Sequence, residues 1–130
     1  MKTENIYKKL KDIYTPDEIN ILKESKDKFR ILTPITFRDG DHIVCTLKKI
    51  KNDWYLSDEA FTLMKLNADI NDEILNKVLL DNKLEIKDGE IITPIYNDIS
   101  KAFKNFINGI MYLISIQDYI DKKTELDDDL

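Results

Sequence analysis

Apolar and polar side chains alternate through the middle of the chain. In residues 42–50 the alternation has a period of two, which is typical of a strand with two distinct faces. Turn signals at residues 38–41 and 51–53 separate this segment from apolar runs on either side. The pattern therefore predicts three strands, at about residues 29–37, 42–50 and 54–57.

The first 28 residues have a helical pattern instead. Apolar side chains recur at helical spacing between residues 3 and 14, and Thr3 can cap the helix that they predict. Thr15 is followed by Pro16 and, three positions after Thr15, by Glu18, as in a capping box. This arrangement predicts a second short helix, and the charged residues 24–28 then connect it to the first strand.

Helical spacing returns after the third strand. Ser57 and Asp58 can cap a short buried helix over residues 60–66, which Asn67, Ala68 and Asp69 end. A second helix is predicted over residues 72–80, capped by Asn71. Its inward side chains are expected to be Ile74, Leu75, Val78 and Leu79.

Residues 84–92 have the form of a β-hairpin, because the Asp88-Gly89 pair is a strong two-residue turn signal between short apolar runs. After this hairpin comes the longest predicted element, a helix over residues 98–121 with one apolar side chain on every turn. Residues 122–130 lack periodicity and are expected to form a frayed acidic tail.

The long helix carries more apolar surface than a single seam. A second stripe, formed by Ile107, Met111 and Ile114, widens its apolar face. The N-terminal helix of the same chain could cover this stripe, or the same stripe of a second copy could do so, since a two-fold interface uses one surface twice. The second arrangement predicts a homodimer, and we adopt it as an expectation.

These elements together predict a single α+β domain over residues 1–130, a length that suits one domain. A small antiparallel sheet packs against the long C-terminal helix, with short helices at the N-terminus and in the middle. Residues 29–121 form the core, residues 1–28 the helical N-terminal segment and residues 122–130 the tail.

Composition and charge narrow the functional classes. The net charge is −5, which disfavours direct binding to nucleic-acid phosphates and suits a basic protein partner, although solubility alone explains a charge of this size. The single cysteine, Cys45, lies in a strand pattern and is expected to be a buried apolar residue, as in a reducing cytoplasm. No apolar run is long enough to cross a membrane, and the first residues lack the apolar core of a signal peptide.

Few residues suggest catalysis or metal binding. The single histidine, His42, could form a divalent-cation site with Asp39 and Asp41, but the turn itself accounts for these residues. No phosphate-binding, dinucleotide-binding or hydrolase motif occurs, so no cofactor and no metal are predicted.

One enzymatic alternative stays open. Glu85-Ile86-Lys87 and Asp81-Asn82-Lys83 are the acid-x-lysine pairs of some metal-dependent nucleases. Such a site needs a further acidic residue on a neighbouring element, and Asp58 or Asp72 could supply it. Because hairpin charges are usually solvated, we favour a protein that is not an enzyme.

A protein-binding edge is the other candidate site. Trp54 and Tyr55 are potential aromatic anchors, and acidic residues follow them directly. Helix capping also explains these acidic residues, so a structural role is the alternative. The residues predicted to contact a partner are Asp39, Asp41, Trp54, Tyr55, Asp58 and Glu59.

Four segments carry a family resemblance: Thr33-Pro34, residues 38–43, residues 54–58 and residues 60–63. They resemble a family associated with phages, prophages and mobile elements, the domain of unknown function 1828. The chain differs where the family usually has Asp-Gly, because it has Glu59-Ala60 and is expected not to need a positive φ there.

The resemblance implies a cytoplasmic protein of a bacterial mobile element with no established catalysis. Small acidic proteins of this origin often block host proteins. The leading hypothesis is therefore a protein that binds a host or phage protein, for example as an inhibitor of a CRISPR effector or another defence system. The alternative is a nucleic-acid-processing enzyme or an accessory subunit to one.

Overall fold

The computed structural model of the chain describes residues 1–66, 70–95 and 98–128. The helices and strands, in chain order, are α1 (Thr3–Leu10), β1 (Asn20–Ser25), β2 (Lys28–Thr36), β3 (His42–Ile50), β4 (Asp53–Ser57), α2 (Phe61–Lys65), α3 (Asp72–Asp81), β5 (Glu85–Lys87), β6 (Glu90–Pro94) and α4 (Ile99–Asp128).

The six strands form one sheet in the order β1-β2-β3-β4-β6-β5. Each neighbouring pair is antiparallel, and the register between β2 and β3 places Ile31 opposite Cys45. The sheet, the short helices and the long C-terminal helix confirm the predicted α+β fold.

The hydrophobic core lies between one face of the sheet and the helices. Phe103, Phe106 and Ile110 of α4 are fully buried, and strand residues such as Phe29 and Leu47 pack into the same cluster. Residues of α1 and α3 complete it. Alternation along the strands then assigns the remaining side chains to the opposite face. We call this opposite side the open face; its side chains include Leu22, Glu24, Lys28, Arg30, Leu32, Val44, Thr46, Lys48, Ile50, Tyr55, Ser57, Glu85, Glu90 and Ile92.

The second N-terminal helix was predicted wrongly. The capping-box contact does form, because the Thr15 backbone N–H donates to Glu18 Oε1 at 2.9 Å, but a turn follows and the chain then enters β1. Tertiary pairing outweighs the local signal, since β1 adds an edge strand to β2 and buries Ile21. Thr3 is the first residue of α1 and does not cap it: the N-cap position is Lys2, without a side-chain hydrogen bond.

The middle helices follow the prediction more closely. Asn71 caps α3, because its side chain accepts from the Ile74 backbone N–H at 2.9 Å. Val78 and Leu79 are buried as expected, Leu75 is half-buried, and Ile74 is exposed rather than inward. The predicted break at residues 67–69 lies outside the described residues.

Helix α4 differs from the prediction at its C-terminal end and along its second stripe. It continues to Asp128, so part of the expected tail is helical. Gly109 allows close packing inside the chain, because a Cβ there would collide with Leu84 Cδ1. Ile107 is buried within the same chain, whereas Met111 is exposed and Ile114 is half-buried.

Candidate interaction surface

Asp58 lies in the interior, at the junction between β4 and α2. Its side chain is 3% exposed, and its two carboxylate oxygens accept three backbone hydrogen bonds. The donors are the N–H groups of Ala60 at 2.9 Å, Thr62 at 2.9 Å and Ile91 at 2.8 Å. The carboxylate thus accepts from the first turn of α2 and links the junction to β6. It is therefore not available as a surface contact.

The junction also contains two residues in the left-handed region. Glu59 has φ +57° and Ala60 has φ +66°, so the expectation that this chain needs no positive φ was wrong. The hydrogen bonds from Ala60 and Thr62 to Asp58 hold the backbone in this conformation. A glycine would adopt this conformation without steric cost.

Glu59 reaches the open face, where it bridges two lysines. Lys28 and Lys48 are directly opposite each other in the β2–β3 register, an arrangement of like charges that is unfavourable alone. Glu59 lies 3.4 Å from Lys28 Nζ and 2.8 Å from Lys48 Nζ. Its carboxylate therefore offsets the repulsion between the Lys28 and Lys48 ammonium groups on the two neighbouring strands.

Glu90 forms the second half of this arrangement. It accepts from Lys48 Nζ at 3.0 Å and from the Ser57 hydroxyl at 2.5 Å. The Ser57 hydrogen bond, followed by Lys48, lowers the pKa of Glu90. Burial lowers the pKa of Lys48, but its hydrogen bonds to Glu59 and Glu90 outweigh burial and raise that pKa above its usual value.

The ion pairs continue across β1 and β2, since Glu24 contacts Lys28 at 3.3 Å and Arg30 at 2.8 Å. The whole group has three basic side chains, three acidic side chains and the Ser57 hydroxyl, and it connects five strands, β1, β2, β3, β4 and β6, with the junction. Thr46 Oγ1 lies buried on the same face without a hydrogen-bond partner among the described residues. We call this group the Lys48 network; it consists of Glu24, Lys28, Arg30, Lys48, Ser57, Glu59 and Glu90.

Trp54 and Tyr55 point to opposite faces of the sheet. Tyr55 lies on the open face, with Lys48 Nζ 6.0 Å from its ring centre. Trp54 packs on the helix side, 6.1 Å from the Phe29 ring centre, with Lys49 Nζ 5.8 Å from its own. The structure therefore does not bring the two predicted aromatic anchors together.

Asp39 and Asp41 lie in the β2–β3 turn, where both pair with Lys65 of α2. The Asp39 carboxylate accepts from Lys65 Nζ at 2.5 Å, and this contact lowers the pKa of Asp39. His42 Nδ1 lies 2.8 Å from the Thr33 carbonyl oxygen. Nowhere in residues 1–66, 70–95 and 98–128 do three or more His, Cys, Asp or Glu side chains form a group that could hold a metal ion.

The residues of the nuclease alternative are spread over several elements. Glu85 and Lys87 are exposed on the short edge strand β5, Lys83 lies in the turn before it, and Asp81 ends α3. Of the two acids that could complete the site, Asp58 has its carboxylate engaged by three backbone N–H groups, and Asp72 is exposed in the first turn of α3.

Of the residues on the open face, the sequence predicted Tyr55 and Glu59 as partner contacts. It missed Lys28, Lys48 and Glu90. A signal was present, because Lys28 and Lys48 occupy outward positions of their strands. Their contact with Glu59 and Glu90 depends on the strand order, which places β4 between β3 and β6.

Among the described helices, none combines the length and the apolar character needed to cross a lipid bilayer. No curated protein and no solved structure matches the chain. A family model for a domain of unknown function, DUF1828, matches residues 33–113. The match extends from the C-terminal part of β2 into α4 and contains the Asp58 junction, Lys48 and Glu90. It covers more than half of the chain, which therefore belongs to the DUF1828 family.

Proposed function

We propose that the protein is a non-catalytic binding protein of a phage, prophage or other mobile element, and that it acts in the bacterial cytoplasm by docking on a host protein. The observation that carries this proposal is the open face. It is a broad sheet surface whose charged side chains are already held in place by the Lys48 network.

Order in the free protein favours binding, because side chains that are fixed before association lose less conformational entropy in the complex. Lys48 and Glu90 already form an ion pair with each other in the chain alone, before any partner protein binds. Tyr55 lies beside this pair. A partner would therefore meet a surface close to its bound arrangement, as in many complexes whose interface backbone moves little.

The open face also exposes apolar side chains at its margins. Leu22 of β1 is 48% exposed and Ile50 of β3 is 54% exposed. Protein interfaces combine apolar side chains with polar and charged ones, so these exposed apolar residues could contribute to a contact. The net charge of −5 favours approach to a basic surface, such as the nucleic-acid-binding channel of a CRISPR effector.

The mobile-element origin rests on the family resemblance, whose segments include the junction and the part of the open face that β4 contributes. The activity that we propose for the protein is inhibition of a bacterial defence system.

The test is a transformation assay in bacterial strains that each carry one defined CRISPR effector directed against a plasmid. We expect the wild-type protein to restore plasmid transformation in at least one strain. The double variant Leu22→Lys/Ile50→Lys should lose this effect, because it replaces two exposed apolar side chains with positive charges that a basic partner surface repels. The matched control is Leu80→Lys, an exposed position of α3 away from this face.

The purified effector inhibited in that assay should form a complex with the wild-type protein and the control, but not with the double variant, in size-exclusion chromatography with light scattering. Failure to inhibit any effector in the panel, or equal inhibition by the double variant, would contradict the proposal. Cleavage of DNA or RNA by the pure protein with Mg²⁺ or Mn²⁺, lost on Glu85→Ala, would support the nuclease alternative instead.

A further inference from the structure

A cleft lies at the edge of the sheet, where β6 extends past its neighbour β5. The first residue of β5, Glu85, pairs with Ile92, whereas β6 continues to Pro94. The end of α3 and the first turns of α4 form the other walls of a cavity of about 640 Å³. This volume is within the range of about 300–1,000 Å³ that is typical of small-molecule sites. We call it the edge cleft; the residues that line it include Leu80, Lys83, Leu84, Pro94, Lys101 and Ala102.

The inner part of the edge cleft is apolar. Leu84 and Ala102 line it and also belong to the hydrophobic core, whereas Leu80 of α3 is 77% exposed at the surface. Close packing of Leu84 against Gly109 of α4 fixes the depth of the cleft. Such a lining accepts the hydrocarbon part of a ligand, because the contact removes apolar surface of both from water.

Two lysines supply positive charge to the edge cleft. Lys83 lies in the turn between α3 and β5, and Lys101 lies in the first turn of α4; both are exposed. Within residues 1–66, 70–95 and 98–128, neither lysine forms an ion pair. By contrast, Lys28, Lys48 and Lys65 each contact two carboxylates. The two ammonium groups therefore give the cleft an affinity for an anion.

The acidic residues that line the edge cleft limit the charge of this anion. The Asp98 carboxylate caps α4, because its Oδ1 accepts from the Ser100 N–H at 3.0 Å and from the Lys101 N–H at 3.3 Å. The side chain of Glu85 lies on the open face, away from α4. A doubly charged ligand would be repelled by both carboxylates, so a single negative charge suits the cleft better.

The backbone at the edge of β6 disfavours a peptide strand as the occupant. The Ile95 N–H donates to the Trp54 carbonyl oxygen at 3.0 Å, on the β4 side. Because the backbone groups of successive strand residues point to opposite sides, those of Pro94 face the edge cleft. Proline has no N–H, so this edge cannot donate the hydrogen bond that strand pairing requires.

We propose that the edge cleft binds a small apolar carboxylate, such as a medium-chain fatty acid. The carboxylate group of the ligand lies between Lys83 and Lys101, and its hydrocarbon body lies on Leu84 and Ala102. Asn105 of α4, half-buried in the lining, offers its amide NH2 as a further donor. This activity is separate from protein binding through the open face and does not depend on it.

Isothermal titration calorimetry with sodium decanoate tests the site. We expect one decanoate to bind per chain with a Kd of about 1 mM or lower. The double variant Lys83→Glu/Lys101→Glu should weaken binding about tenfold or more, because it replaces both ammonium groups with carboxylates. The matched control Lys122→Glu/Lys123→Glu makes the same charge change at exposed positions near the other end of α4 and should bind like the wild type.

Circular dichroism should show that both double variants are folded, since all four substituted side chains are exposed. No saturable binding of decanoate to the wild type would overturn the proposal. An equal loss of affinity in the two double variants would also overturn it, because the effect would then come from net charge rather than from the cleft.

Two further ligands separate the contribution of the charge from that of the hydrocarbon body. Decyltrimethylammonium has a chain of the same length with a positive head, and butyrate keeps the carboxylate on a shorter chain. Each should bind at least about tenfold more weakly than decanoate, because one loses the ion pairs and the other loses buried CH2 groups. Equal affinity of either ligand and decanoate would contradict a site that needs both parts.

Nuclear magnetic resonance tests the location of the site. On addition of decanoate, we expect the backbone amide signals of Leu84, Ala102 and Gly109 to shift, because these residues form or adjoin the edge cleft. The amide signals of Leu22 and Ile50, at the margins of the open face, should stay in place. Shifts confined to the open face would overturn the assignment of the ligand to this cleft.

Discussion

The β2–β3 turn and the β4–α2 junction both redirect the chain after a strand, but different forces hold them. In the turn, Gly40 adopts φ +91°, and Asp39 accepts from the Asp41 backbone N–H at 3.0 Å in an exposed position. In the junction, Glu59 and Ala60 adopt φ +57° and φ +66° without any glycine. There a buried carboxylate supplies the hydrogen bonds that stabilise the backbone.

The difference shows how burial decides the role of an aspartate. Asp39 and Asp41 pair with Lys65 at the surface, where solvent weakens such pairs. Asp58 accepts its hydrogen bonds in the interior, away from water. A backbone N–H that lost its acceptor there could not bond to water instead, so it would cost its full desolvation free energy. The same residue type is thus a replaceable surface contact in one region and a structural centre in the other.

The largest effect should follow from Asp58→Ala. Three backbone N–H groups would lose their acceptor, so we expect the free energy of unfolding to fall by about 3 kcal/mol or more. Urea denaturation measures this change. Asp58→Asn is the control and should lose less, because its amide oxygen can still accept from Ala60 and Ile91, although its NH2 group would face the Thr62 N–H. A change in Asp58→Ala no larger than that of a surface substitution would show that the junction does not depend on this carboxylate.

Ala60→Gly should stabilise the protein. Relief of the left-handed conformation favours glycine by about 1–2 kcal/mol, and the greater freedom of glycine in the unfolded chain offsets part of this, which leaves a gain of about 0.5–1 kcal/mol. The thermal midpoint should therefore rise. The matched control is Gly40→Ala in the turn, where φ is +91° and the expected effect is a loss of stability. Destabilisation by Ala60→Gly would contradict the strain assigned to the junction.

A smaller effect should appear in the acid dependence of stability. The pKa of Glu90 is lowered from its ordinary value of 4.5 in the folded state, so its contribution is present above that value and is lost as the pH falls through the folded pKa. Glu90→Gln removes this titration. The stability difference between wild type and variant should therefore be largest near neutral pH and should shrink on acidification below pH 4.5, as urea midpoints at several pH values would show. A difference independent of pH would contradict the lowered pKa.

The smallest effect is expected for Asp39→Asn. Its side chain is exposed and its pair with Lys65 is screened by solvent, so the urea midpoint at neutral pH should stay within experimental error of the wild type. Asp58→Asn, measured in parallel, provides the contrast between the two regions. An equal decrease of the urea midpoint in both variants would show that burial does not distinguish the roles of Asp39 and Asp58.

The alternation in residues 42–50, the Asp-Gly hairpin and the long apolar helix were enough to predict the α+β fold, because these signals are local. Local signals were insufficient at residues 15–25, where a capping box indicated a helix. There β1 forms instead, since pairing with β2 and burial of Ile21 outweigh the propensity of a few residues.

Capping by Asn71 also followed from the sequence alone, because the acceptor and its donor are three residues apart. The sequence by itself likewise identified an acidic group after Trp54 and Tyr55. Only the tertiary structure decided that Asp58 is interior, that Glu59 bridges Lys28 and Lys48, and that the positive φ of Ala60 is tolerated. These outcomes depend on groups that are distant in the chain, such as the Ile91 N–H and Glu90, which β6 brings beside β4.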